Sequence, residues 1–111
     1  MPFCDRDHDI ESRIVFLTTE AGGRTTPVMS GYRPNHDFGI PGVLNDAQHE
    51  YIDKDVVSPG ETVAARLWFV RPDFQVGRLF VGMSFTAQEG GRVVGNGTLT
   101  HVCNPALVKA T

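Results

Sequence analysis

The 111-residue chain has no apolar run that approaches the ~18 residues a membrane-spanning helix requires. Residues 1–9 are polar and lack the apolar stretch of a signal peptide. Only two cysteines, Cys4 and Cys103, are present. We therefore expect a cytoplasmic protein without a membrane partner, in which both thiols are reduced.

An excess of positive charge is also missing, because 10 Lys and Arg are set against 13 Asp and Glu, for a net charge of −3. This balance gives no overall positive field toward nucleic acid, and DNA is not expected as a partner. The sequence has no C-x-x-C, and His8, His36, His49 and His101 are scattered. We expect neither a metal nor a cofactor, and histidines that are exposed or at strand edges, with His101 partly buried.

No segment repeats its apolar residues with the helical period of 3.6. The 12 Gly and 7 Pro instead fall between short alternating apolar runs, which is typical of strands joined by tight turns. Strands are predicted at 10–18, 32–38, 48–52, from 62 until Pro72, at 79–87 and at 93–103. A face made of Leu79, Val81, Met83, Phe85 and Ala87 should point into the core. Six or seven strands without helices predict a small closed barrel or a sandwich.

Two Gly-Gly-Arg segments carry the most specific information. The first continues from Gly22-Gly23-Arg24 through Pro27 to Gly31-Tyr32-Arg33-Pro34, and the second is Glu89-Gly90-Gly91-Arg92 followed by Gly95 and Gly97. In order and separation they resemble the C-terminal β-barrel, or third domain, of elongation factor Tu. The resemblance covers about 9–103. It implies an all-β fold, a small closed six-stranded antiparallel Greek-key barrel of the elongation factor Tu C-terminal-domain type, standing alone.

Domain organisation follows from the resemblance as a flexible lead-in over 1–8, the barrel over 9–104 and a C-terminal tail over 105–111. The parent factor hydrolyses GTP in another domain. This sequence has no G-x-x-x-x-G-K-[ST] phosphate loop, no Asp-x-x-Gly and no Asn-Lys-x-Asp, and no G-x-S-x-G nucleophile motif. We therefore expect a non-catalytic binding module in a translation-related setting, not an enzyme.

Two functions remain open. The resemblance implies a rim that faces tRNA, formed by Arg24, Arg71, Glu89 and Gly90, in which arginine pairs with phosphate and glycine admits a ribose. The alternative is a protein partner, a GTPase or another translation-related protein. Its candidate contacts are Trp68, Arg66, Tyr32 and Arg33. Trp68 lies opposite the Val63, Leu67 and Phe69 face and is expected to be exposed apolar surface. The net charge and the acidic Asp37, Asp53 and Asp55 favour the protein partner over weak tRNA binding.

Overall fold

A computed structural model of the chain describes residues 6–110. The strands are β1 (Ile10–Phe16), β2 (Val28–Met29), β3 (Asn35–Asp37), β4 (Asn45–Tyr51), β5 (Val56–Val57), β6 (Thr62–Phe69), β7 (Ser84–Glu89) and β8 (Arg92–Val102). Two single-turn 3-10 helices, Pro72–Gln75 and Pro105–Leu107, complete the described part. Neither helix has the length or apolarity needed to cross a membrane.

Six strands close into an antiparallel barrel in the order β1-β6-β4-β3-β7-β8, and β8 pairs with β1. Strands β3, β4 and β6 follow one another as neighbours while β1 lies beside β6, which is a Greek-key connection. The short β2 and β5 pair separately as a two-stranded ribbon. The predicted fold class is confirmed.

Alternation along the strands builds the core. Ile10, Ser12, Ile14 and Phe16 of β1 are buried, and Val63, Ala65, Leu67 and Phe69 of the neighbouring β6 are buried on the same inner face. Val15, on the opposite face of β1, is exposed. A close approach completes the packing, because a Cβ built on Gly97 would lie 2.1 Å from the ring of Phe85. Gly97 therefore makes room for that ring.

The predicted strand at 79–87 is wrong in its first half. Val81 is 65% exposed and does not face the core, and β7 begins only at Ser84. Gly82 adopts φ +92°, which interrupts an extended strand, so the residues before it turn away from the barrel. Leu79 is nevertheless buried, because it forms a parallel bridge with Val108 from the C-terminal segment.

Both chain ends are more closely packed than the sequence indicates. Cys4 and the rest of 1–5, like 111, lie outside the described residues, but Arg6 and His8 of the predicted lead-in pack on β6. Asp9 is fully buried, receives hydrogen bonds from Arg6 and the Phe69 backbone N–H, and accepts two more through its carbonyl from Cys103 and Asn104. In the predicted tail, Leu107 is buried and Lys109 donates its N–H to Leu79. The described residues of both segments, 6–8 and 105–110, thus pack on the barrel.

Two histidines lie in the middle of the core, contrary to prediction. His36 on β3 and His49 on β4 are fully buried, with 2.8 Å between their Nε2 atoms. His36 Nδ1 is 3.0 Å from the carbonyl oxygen of Asn45, and His49 Nδ1 is 3.0 Å from the Tyr51 hydroxyl. His101, which was expected to be partly buried, is exposed on β8.

Candidate functional site

Four of the predicted contact residues lie together at one end of the barrel. Arg24 and Tyr32 both donate hydrogen bonds to the same carboxylate oxygen of Glu89, and the Arg24 guanidinium lies 5.0 Å from the centre of the Tyr32 ring. Gly90 follows Glu89 directly. We call Arg24, Tyr32, Glu89 and Gly90 the turn-end cluster. Its residues come from the loop after β1, the segment before β3 and the β7–β8 hairpin.

Tight turns place this cluster. Gly90 and Gly91 have φ of +57° and +82°, the conformation of a two-residue type I′ hairpin turn, and Glu89 pairs with Arg92 across it. In the other Gly-Gly-Arg segment only Gly22 has a positive φ. Gly23 is needed for another reason, since a Cβ there would lie 2.4 Å from the carbonyl oxygen of Leu17. The two similar motifs therefore build different turns.

Mutual neutralisation dominates the electrostatics of the cluster. Burial opposes ionisation of Glu89, but hydrogen bonds from Tyr32 and Arg24 outweigh it and lower its pKa. Burial also opposes the charge on Arg24, but its bond to Glu89 and its further interactions with Tyr32 and Glu89 together outweigh burial and raise its pKa. The pKa of Tyr32 is raised first by burial and then by its hydrogen bond to Glu89. The guanidinium of Arg24 also donates to the carbonyl and hydroxyl of Thr26. Its donors are thus largely engaged within the protein.

Arg71 lies at the opposite end of the barrel. Arg71 follows β6 and its carbonyl accepts a hydrogen bond from Asn45 at the start of β4, whereas the turn-end cluster lies where β1 and β7 end. The eight residues of β6 rise roughly 23 Å between these ends. The four residues predicted to face tRNA therefore do not share one rim. Arg71 forms a bidentate ion pair with Asp73, and its guanidinium lies 4.5 Å from the centre of the Phe74 ring.

The predicted protein contacts are also dispersed. Arg66 points outward from the barrel wall and donates to Glu50, and Arg33 is exposed beside the turn-end cluster. The prediction that Trp68 is exposed is wrong, because its residue is only 3% exposed. Arg6 accepts a hydrogen bond from the Trp68 indole Nε1 at 2.9 Å, and the His8 ring packs edge-on at 5.5 Å. Residues before β1 thus cover Trp68 within the same chain.

Sequence reasoning missed a group of exposed apolar side chains near Arg71, of which Phe74 lies against the Arg71 guanidinium. The group lies on the segment between β6 and β7 and on the C-terminal segment bridged to it at Leu79 and Val108. We call it the Phe80 surface, and its exposed side chains are Val70, Phe74, Val76, Phe80, Val81 and Val108. The sequence did contain an indication of this surface, because alternation along the predicted strand at 79–87 places Phe80 on the outer face.

Comparisons with known proteins agree with this architecture. The chain is 38% identical over 94 residues to elongation factor Tu 2 of Streptomyces avermitilis. The match covers 82% of this chain but 22% of that protein, so it has the size of one domain. No family model matches the chain.

Proposed function

Because this chain is a β-barrel of the elongation factor Tu C-terminal-domain type, we propose that it is a non-catalytic binding module that contacts a protein of the translation apparatus in the cytoplasm. The observation that carries the proposal is the Phe80 surface. Large aromatic and aliphatic side chains are exposed there near an arginine, and this composition is typical of the centre of protein interfaces.

Charge supports the same conclusion. Arg24 is engaged by Glu89 and Arg71 by Asp73, so a phosphate would have to compete with a carboxylate at each arginine. The two arginines also lie at opposite ends of the barrel, where one short duplex segment could not pair with both in the way a common rim would allow. A net charge of −3 adds repulsion at longer range.

A variant series on the full chain tests the proposal. The chain is used to capture partners from native cytosol, and the bound protein and RNA are both identified; the captured protein is then titrated calorimetrically. Val81→Ser and Phe80→Ala should each weaken that binding. The loss for Phe80→Ala should reach ~2 kcal/mol or more. Met29→Ser is the matched control, because Met29 is equally exposed on the β2–β5 ribbon, away from the Phe80 surface. It should leave affinity unchanged.

The opposite outcome is equally measurable. Micromolar binding to tRNA, with a slope of log K against log salt that falls by about 0.9 for each of Arg24→Ala and Arg71→Ala, would establish the RNA alternative instead. Retained protein binding in both Phe80-surface variants would also overturn the proposal.

A separate titration tests the non-catalytic part. We expect no saturable heat on adding GTP or GDP, because the sequence has no loop that could hold a triphosphate. A dissociation constant below ~100 μM, a free energy stronger than about −5.5 kcal/mol, would contradict it.

A further inference from the structure

Three side chains that bind metals meet where the first and last barrel strands pair. His8 Nε2, a carboxylate oxygen of Glu11 and Cys103 Sγ all lie within 4.8 Å of one another. The imidazole and the carboxylate are 2.9 Å apart. These residues come from both ends of the chain: His8 precedes β1, Glu11 is its second residue and Cys103 follows β8. The cluster is thus made by the fold rather than by a local loop.

The backbone holds the three groups together independently of any ligand. Asp9, between His8 and Glu11, accepts the N–H of Cys103 at 2.9 Å and donates its own N–H to Leu67 at 2.9 Å. The His8 ring is placed against Trp68, whose indole is itself hydrogen-bonded. An approaching ion would therefore meet side chains whose backbone positions are already set, which lowers the entropy lost on binding.

The chemistry of the donors selects a class of ion. We propose that His8, Glu11 and Cys103 form a zinc site, with a fourth position open to solvent. Nitrogen, carboxylate oxygen and thiolate sulfur are the ordinary ligands of zinc, with bonds of about 2.0–2.3 Å, and a tetrahedron of such bonds places ligand atoms roughly 3–4 Å apart. The three ligand atoms already lie within 4.8 Å of one another, close to that spacing. A thiolate ligand disfavours magnesium and calcium.

Charge around the cluster favours a dication. The negative charges of Glu11, Asp9 and Asp7 act on the Cys103 thiol and would attract a bound cation. The arginines in this region are engaged by other carboxylates: Arg66, opposite Glu11 on β6, donates to Glu50, and Arg6 donates to Asp9. His101, opposite Glu11 on β8, places Nδ1 3.4 Å from the other Glu11 oxygen, where it would help to orient the carboxylate toward the ion.

Cobalt and zinc titrations of the full, reduced, metal-free chain test the site. Cobalt should give a near-ultraviolet band from thiolate-to-metal charge transfer together with the visible bands of tetrahedral coordination, and zinc should displace it. Cys103→Ser should abolish the charge-transfer band. His8→Gln and Glu11→Gln should each weaken zinc binding about tenfold or more in competition with a chromophoric chelator.

Matched controls separate this site from other metal-binding groups. Cys4→Ser removes the other thiol and Glu20→Gln removes an exposed carboxylate on the turn after β1; neither should change zinc affinity. Near-ultraviolet circular dichroism confirms that each variant is folded. A missing cobalt–thiolate band at saturating cobalt, a band that survives Cys103→Ser, or equal losses in Cys4→Ser and Cys103→Ser would overturn the assignment.

Discussion

Phe85→Ala should destabilise the barrel by ~3–5 kcal/mol, measured as the free energy of unfolding in urea. The ring is 4% exposed, stacks on Phe38 with centroids 4.6 Å apart and also contacts His36. Its removal leaves a cavity in the densest part of the core, where the surrounding strands are fixed by the closed hydrogen-bond network. Val81→Ala is the control from the same predicted stripe. It should cost under about 0.5 kcal/mol, because Val81 is exposed.

Gly97 turns this prediction into a double-mutant cycle. Gly97→Ala alone should cost ~1–3 kcal/mol, since its new methyl group would overlap the Phe85 ring. In the Phe85→Ala background the same methyl group enters the vacated space. The double variant should therefore be more stable than the sum of the two single changes by at least ~0.5 kcal/mol. Strict additivity, or a loss below about 1 kcal/mol for Phe85→Ala, would mean that the ring does not pack over Gly97.

The sequence predicts which residues are buried where burial depends on the alternation of a single strand, and not where it depends on contacts with a distant segment. Alternation correctly groups Val63, Leu67 and Phe69 on the inner face of β6, since the side-chain period of a strand is a local property. The same reasoning fails at Trp68, whose cover comes from residues before β1. It also fails at Val81, because the positive φ of Gly82 ends the strand that the alternation predicts.

The candidate sites show the same division. The two Gly-Gly-Arg motifs correctly indicate the turns around Arg24 and Gly90, but only the strand order reveals that Arg71 lies at the other end of the barrel. The spacing of His101 and Cys103 is visible in the sequence, where a separation of two residues would place both on one face of the predicted strand at 93–103. That His8 and Glu11 reach the same place follows from the pairing of β1 with β8, which sequence periodicity does not contain.

Lowering the pH from 7.5 to 5 should reduce the free energy of unfolding by about 2 kcal/mol through the buried His36, with a further loss in the same direction from the buried His49. Burial lowers the pKa of His36 to about 4, and burial together with the neighbouring His36 holds that of His49 well below its usual range. In the unfolded chain both rings would titrate near pH 6.5. The unfolded state then binds more protons, so stability is fully present above pH 6.5 and is lost as the pH falls toward 4.

The hydrogen-bond chain explains why neither ring accepts a proton in the folded state. The Asn45 carbonyl can only accept, so His36 donates from Nδ1 and accepts at Nε2. His49 must then donate from Nε2 and accept at Nδ1, and the Tyr51 hydroxyl donates to it. Burial raises the pKa of Tyr51, which keeps this donor protonated. A proton added to either ring would set two N–H groups against each other or reverse the chain.

Two variants distinguish titration from packing in this chain. His49→Gln removes one titrating ring while keeping a donor toward His36, so the slope of unfolding free energy against pH between 7.5 and 5 should become smaller. Tyr51→Phe removes the terminal donor and should cost ~1–3 kcal/mol at every pH with the slope unchanged. The lowered pKa of Glu89 does not contribute in this interval, because its stabilisation is lost only as the carboxylate protonates below about pH 4.5. A wild-type stability that stays flat from pH 7.5 to 5 would show that the two rings are not buried as a neutral pair.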